Sequence, residues 1–165
     1  MVLERIESLL SITKGYFVIF LLIAIDLVAK YLAEEYLSFG QAVPLIPILD
    51  LLLVFNSGIA FSILDFNNSF LSLSLSLIGL MIVAYLHSLY IREESSINRF
   101  SLILIISGAL GNILDRLSDG VVTDFLFFHV GNTSFFIFNF ADAFISIGAA
   151  LFFLMEFKNF LQNRS

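Results

Sequence analysis

Four long apolar stretches set the pattern of the chain, near residues 16–33, 70–90, 100–114 and 137–157. Crossing a hydrocarbon core takes about 20 largely apolar residues in a helix, so each stretch predicts a transmembrane helix. The second opens with Leu71-Ser-Leu-Ser-Leu-Ser-Leu77, whose period of two suits a strand, but the apolar run continues unbroken to Leu86. That length predicts a helix whose serine hydroxyls bond back to the preceding turn. The third stretch is short and ends in Gly-Asn-Ile-Leu-Asp-Arg, which predicts an outer end that is polar or packed against protein. The connection 34–69 holds Val43-Pro-Leu-Ile-Pro-Ile-Leu49, Leu51-Leu-Leu-Val-Phe55 and Ile59-Ala-Phe-Ser-Ile-Leu64. Short β-prone runs bounded by Pro, Asn and Gly predict a small sheet resting on the membrane surface. The fold class expected is an α-helical integral membrane protein with four transmembrane helices and a small β-rich element on the extracytoplasmic face. With no internal repeat, residues 1–165 read as a single membrane-embedded domain.

Composition supports the bilayer as solvent. Of 165 residues, 59% are hydrophobic and 13% charged, and the mean hydropathy is +1.00. Globular chains carry about 25% charged residues, so too little charge is present to cover a water-facing surface. The absence of cysteine excludes a disulfide scaffold, a thiolate metal site and a cysteine nucleophile. A net charge of −6 with eight scattered Lys and Arg argues against a nucleic-acid partner. The first stretch follows Lys14 but is long, contains Asp26 and Lys30 and lacks a small-x-small exit, so it is expected to stay attached. Arg5 and Lys14, Arg92 and Arg99, and Lys158 and Arg164 flank the helices on one side, whereas the two other connections hold only Arg116. The positive-inside rule then predicts cytoplasmic termini and outward-facing connections 34–69 and 115–136.

Ionisable residues within a membrane span are functional hypotheses by default. Asp26 and Lys30, four apart, share a helix face and can neutralise each other, and a structural ion pair is the favoured reading over direct chemistry. Gly108, Gly111, Asn112, Asp115 and Arg116 form a stripe on the third helix, and Asn139 and Asp142, three apart, a face on the fourth. Taking about 1.5 Å per residue, Asp26 lies about 18 Å from Lys14, Asp115 about 24 Å from Arg99 and Asp142 about 21 Å from Glu156. All three reach one level in the outer leaflet or at its surface, and Asp124 can fold back to it.

Two carboxylates brought close in a low-dielectric site separate in pKa, so that one holds a proton while the other acts as a base. That is the equipment of an aspartic hydrolase acting on water, with no metal, cofactor or covalent intermediate. His87 and His129 form no metal-binding pair, and His87 reads as interfacial. A Ser–Lys dyad of Lys30 with Ser62 or Ser107 is disfavoured because Asp26 would keep the lysine charged. The Gly108–Gly111 spacing reads as helix packing. The competing non-enzymatic reading is a small proton-coupled carrier relaying through Asp26, Asp115 and Asp142, which would place those groups near the midplane. Spacing ranks Asp115 as high as Asp124 for a dyad partner of Asp142, while Gly120 and the β-branched residues before Asp124 could aim it inward.

These residues resemble a known family, the prokaryotic lipoprotein signal peptidases (signal peptidase II). Asp26-Leu-Val-Ala-Lys30 is similar to the family's Asp-x-x-x-Lys, and Val43-Pro-Leu-Ile-Pro47 to the segment beginning its first outer loop. Asn56-Ser-Gly-Ile-Ala-Phe-Ser62 resembles Asn-x-Gly-Ala-Ala-Phe-Ser, with Ile59 in place of Ala. Gly108-Ala-Leu-Gly-Asn-Ile-Leu-Asp-Arg116 resembles Gly-Gly-Ala-x-Gly-Asn-x-x-Asp-Arg, Ser107 replacing the first Gly. Gly120-Val-Val-Thr-Asp-Phe125 is similar to Gly-x-Val-x-Asp-Phe, and Phe138-Asn-Phe-Ala-Asp142 to Phe-Asn-x-Ala-Asp. The resemblance implies a bacterial inner-membrane aspartic endopeptidase, its active site at the extracytoplasmic face. It implies cleavage of signal peptides from diacylglyceryl-modified prolipoproteins before the lipidated cysteine. It also implies Asp124 and Asp142 as the catalytic dyad, with Asp26, Lys30, Asn56, Gly58, Asn112, Asp115, Arg116 and Asn139 binding substrate or supporting the site. The expected partners are the prolipoprotein and membrane lipid, and a monomer is expected.

Overall fold

A computed structural model describes residues 2–58 and 69–162. Ile59, the apolar run 59–64, Ser62 and Arg164 lie outside the described residues. Four helices, α1 (Val2–Tyr36), α2 (Ser69–Tyr90), α3 (Ser96–Asp119) and α4 (Phe140–Gln162), are each long and apolar enough to cross a membrane. Strands β1 (Val43–Ile46) and β2 (Leu49–Asn56) follow α1, and β3 (Val122–Val130) and β4 (Thr133–Phe138) follow α3. They form one antiparallel sheet in the order β1-β2-β3-β4.

The Leu-Ser repeat is helical, and Ser76 Oγ donates to Ser72 O at 3.0 Å as a back-bonding hydroxyl does. Two expected boundaries are corrected. Residues 137 and 138 belong to β4, because Ile137 and Phe138 pair with Phe127 and Leu126, and α4 begins only at Phe140. The third helix is not short. Ser95 caps its start and Gly120, at φ 95°, closes it with its N–H on Arg116 O at 2.9 Å.

α3 runs through the centre of the bundle with Leu102, Ile103, Leu104, Ile106 and Ile113 buried, which is why its polar end needs no contact with lipid. Its glycines let neighbouring helices approach closely. A Cβ at Gly108 would lie 2.3 Å from Ala141 O, and one at Gly111 would lie 2.7 Å from Asp26 Oδ2. The outward faces carry Phe17, Phe20, Met81 and Phe153, each more than 60% exposed, as suits a bundle solvated by hydrocarbon. One apolar core joins Ile19, Tyr90, Leu102, Ile103 and Ile106 inside the bundle, and another joins Ala33 of α1 to Leu53, Phe125 and Leu126 of the sheet. Polar groups collect on the helices and strand that connect these two cores.

Candidate active site

Lys30 is the hub of the α1 side. Its Nζ lies 2.8 Å from Asp26 Oδ2, donates to Asn112 Oδ1 at 2.8 Å and lies 3.2 Å from Asp115 Oδ2. The expected ion pair is present, extended to a third charge. Asp26 Oδ1 also accepts from Ala141 N at 2.8 Å, so α1 holds the first turn of α4 directly. Asn112 passes the network on, its Nδ2 donating to Asp142 Oδ1 at 2.8 Å.

Asn139 and Asp142 do not share a helix face, as their spacing suggested. Asn139 precedes α4, and the two form a reciprocal N-terminal box. Asn139 Oδ1 accepts from Asp142 N at 2.9 Å, and Asp142 Oδ2 accepts from Asn139 N at 3.3 Å. With its Oδ1 so committed, Asn139 presents Nδ2 to Asp124 Oδ1 at 2.6 Å and to Thr123 O at 3.3 Å. Asn139 therefore reaches both carboxylates, Asp124 through its side-chain amide and Asp142 through its backbone N–H. Asp124 Oδ2 accepts from Asn56 Nδ2 at 3.0 Å, and Asn56 is held in turn by Gly58 N donating to its Oδ1 at 2.8 Å. Gly58 has φ 95°, a conformation that favours glycine. The β2–β3 pairing slips between Leu51 and Val54, the partner of Asp124, and such irregularities re-aim side chains.

Burial pushes the Asp124 carboxyl up from its ordinary 3.8 to about 6. The charge of Asp142 adds to the rise, and the hydrogen bonds from Asn56 and Asn139 and the charge of Lys30 oppose it. Asp115 occupies a different position. Its Oδ2 meets Lys30 and accepts from Thr123 N at 2.8 Å, so it ties α1 to the backbone of β3. Arg116 lies in the fields of Asp115, Asp124 and Asp142, and its Nη2 would sit 3.3 Å from a Cβ at Gly58. Its Nε is buried with no hydrogen-bond partner among the described residues.

All ten residues singled out in the sequence thus fall in one contiguous region. Among the described residues no group of three or more His, Asp and Glu is placed to hold a metal. His87 accepts or donates at 2.8 Å with Tyr16 OH, and His129 Nε2 lies 3.2 Å from Asp50 Oδ1, both outside this network.

A sequence profile of the signal peptidase (SPase) II family matches residues 18–158. The chain belongs to the signal peptidase II family. The lipoprotein signal peptidases of Brucella ovis (strain ATCC 25840 / 63/290 / NCTC 10512) and Brucella melitensis biotype 1 (strain ATCC 23456 / CCUG 17765 / NCTC 10094 / 16M) are each 38% identical to it over 156 residues, 93% of this chain and 96% of theirs. A solved structure described as a bacterial membrane enzyme, determined by the in meso method at 2.3 Å, superposes with a TM-score of 0.79 at 26% identity, covering 90% of each chain. Another at 1.9 Å gives 0.77 at 26% identity, covering 87% of this chain and 92% of that one. Signal peptidase II members are aspartic peptidases, and this one is an integral membrane enzyme of that kind.

Two polar residues of the site escaped the sequence reading. Thr123 is buried to 1% exposure, and its Oγ1 donates to Glu34 Oε1 at 2.5 Å. Glu34 continues the i,i+4 series of Asp26 and Lys30, a signal that was available. Thr123 carried none, since a β-branched residue in a strand reads as sheet propensity.

Proposed function

We propose that this protein removes signal peptides from diacylglyceryl-modified prolipoproteins, cutting before the lipidated cysteine, with Asp124 and Asp142 as its catalytic dyad. The observation that carries this reading is Asn139 reaching both carboxylates, its Nδ2 on Asp124 Oδ1 and its backbone N–H on Asp142 Oδ2, with Asp124 raised in pKa to about 6. Asp124 holds the proton and polarises the scissile carbonyl. Asp142 takes a proton from the attacking water as the new C–O bond forms. The tetrahedral intermediate then collapses with its C–N bond breaking, and a proton passes to the leaving nitrogen. Asn56, Asn112 and Asn139 are spent on the protein's own carboxylates and serve to support the site. Arg116, a half-buried cation facing Asp115, Asp124 and Asp142, is the group left to hold the peptide or the glyceryl ester.

The basic flanks of the helices support an inner-membrane enzyme with cytoplasmic termini and the dyad at the extracytoplasmic face. A lipid-anchored scissile bond arrives sideways from the outer leaflet at that level, so the membrane itself sets substrate depth, and a monomer suffices. The test is cleavage of a diacylglyceryl-modified precursor by purified Asp124→Asn and Asp142→Asn. Each is expected to lose at least about a thousandfold in kcat, the scale of removing an acid or base that acts in the transition state. Retention of a tenth of the wild-type rate by either would remove that residue from the dyad.

A further inference from the structure

Every polar group of Thr123 is claimed by a different helix or helix end. Its N–H donates to Asp115 Oδ2 at 2.8 Å, on α3. Its carbonyl accepts from Asn139 Nδ2 at 3.3 Å, at the start of α4. Its hydroxyl donates to Glu34 Oε1 at 2.5 Å, on α1. Ladder pairing with β2 alone would fix only the strand's height and register, where Thr123 lies opposite Phe55. Successive residues of a strand point to opposite faces, so the direction of one side chain is tied to that of the next. Tying the Thr123 side chain to α1 therefore turns the next side chain, Asp124, toward Asn56 and Asn139.

We infer that Thr123, anchored by Glu34, is a positioning residue that sets the orientation of the Asp124 carboxylate. The inference rests on the assignment of Asp124 to the dyad. Asp115 is the backbone half of the same clamp, and through Lys30 it makes the α1 ion pair a fixed reference for β3.

Thr123→Val keeps the volume and the β-branch but removes the hydroxyl, and Glu34→Ala removes the partner from an exposed position with little risk to folding. The assay is steady-state cleavage of a diacylglyceryl-modified precursor by the full chain in detergent, with Asp124→Asn alongside. Both variants are expected to lose about tenfold or more in kcat, as small misplacements of reacting groups do, with KM within about twofold of wild type. Thr123→Ser and Glu34→Gln, which keep a donor and an acceptor, are expected to recover most of the loss. A folded Thr123→Val or Glu34→Ala with wild-type kcat would overturn the inference, and so would losses that the conservative variants fail to rescue. Activity in Asp124→Asn would instead refute the dyad itself, so the two failures are distinguishable.

Discussion

Replacing Lys30 by Met tests the claim that one cation neutralises two carboxylates. Lys30 and Asp26 are 2% and 1% exposed and Asp115 is 11% exposed, so water does little to screen them. At an effective dielectric of about 20, unit charges about 4 Å apart interact by about 4 kcal/mol. Lys30→Met deletes two such attractions and leaves Asp26 and Asp115 facing each other, while Asn112 Oδ1 loses its donor. Removing one partner of a buried pair costs about 3–5 kcal/mol, and the upper end applies when two carboxylates are stranded. Asp26→Asn is milder. The amide oxygen can serve Ala141 N or Lys30 but turns its NH2 on the other donor, while Lys30 keeps Asp115 and Asn112, so the loss is about 1–3 kcal/mol. Thermal unfolding of the purified variants in one detergent reads the difference. At about 2–4 °C per kcal/mol, Lys30→Met should lower Tm by about 10 °C or more and Asp26→Asn by less than half of that. Combining the two should be less severe than Lys30→Met alone, because one stranded charge is gone. An Asp26→Asn variant as destabilised as Lys30→Met, or a double variant that is the worst of the three, would refute the shared neutralisation.

Other consequences are open to direct measurement. Raising pH strips the proton that the proposed mechanism needs on Asp124, so kcat/KM should fall on the alkaline side with a midpoint near about 6; a profile flat from pH 5 to 8 at about constant salt would contradict this proton assignment. Gly111→Ala would push a Cβ to 2.7 Å from Asp26 Oδ2; the resulting overpacking should cost about 1–3 kcal/mol and reduce cleavage, and an unchanged Tm would show that the helices can part freely. Gly120→Ala meets only Ser72 Oγ at 3.8 Å, so its cost is that of a left-handed backbone alone, about 1–2 kcal/mol, with cleavage retained. Asn139→Ala removes the cap of α4, about 1 kcal/mol, and strands Asp124 Oδ1 and Thr123 O, about 1–3 kcal/mol each, so Tm should fall and kcat of the folded fraction should fall as well; a Tm collapse with full specific activity in the folded fraction would count against a role for Asn139 at the two carboxylates.

The sequence alone sufficed for whatever depends on neighbours along one helix. An apolar run of bilayer length is helical because only a helix satisfies its backbone within hydrocarbon, and this held for the Leu-Ser repeat despite its strand-like period. The Asp26–Lys30 pair was legible because four residues make one turn, and the family could be recognised because its motif blocks are contiguous. Tertiary structure decided the rest. Ile137 and Phe138 are as apolar as a membrane span, and only pairing with Phe127 and Leu126 makes them strand. Asn139 and Asp142 have helix spacing, yet Asn139 precedes the first turn and caps it. Spacing alone ranked Asp115 with Asp124, and the two differ in their company: a lysine and a backbone N–H for one, two amides and the neighbouring Asp142 charge for the other. Chain spacing defines which side chains share a face, but a carboxylate's chemistry depends on burial and on donors brought from other elements, which exist only once the helices and the sheet have packed.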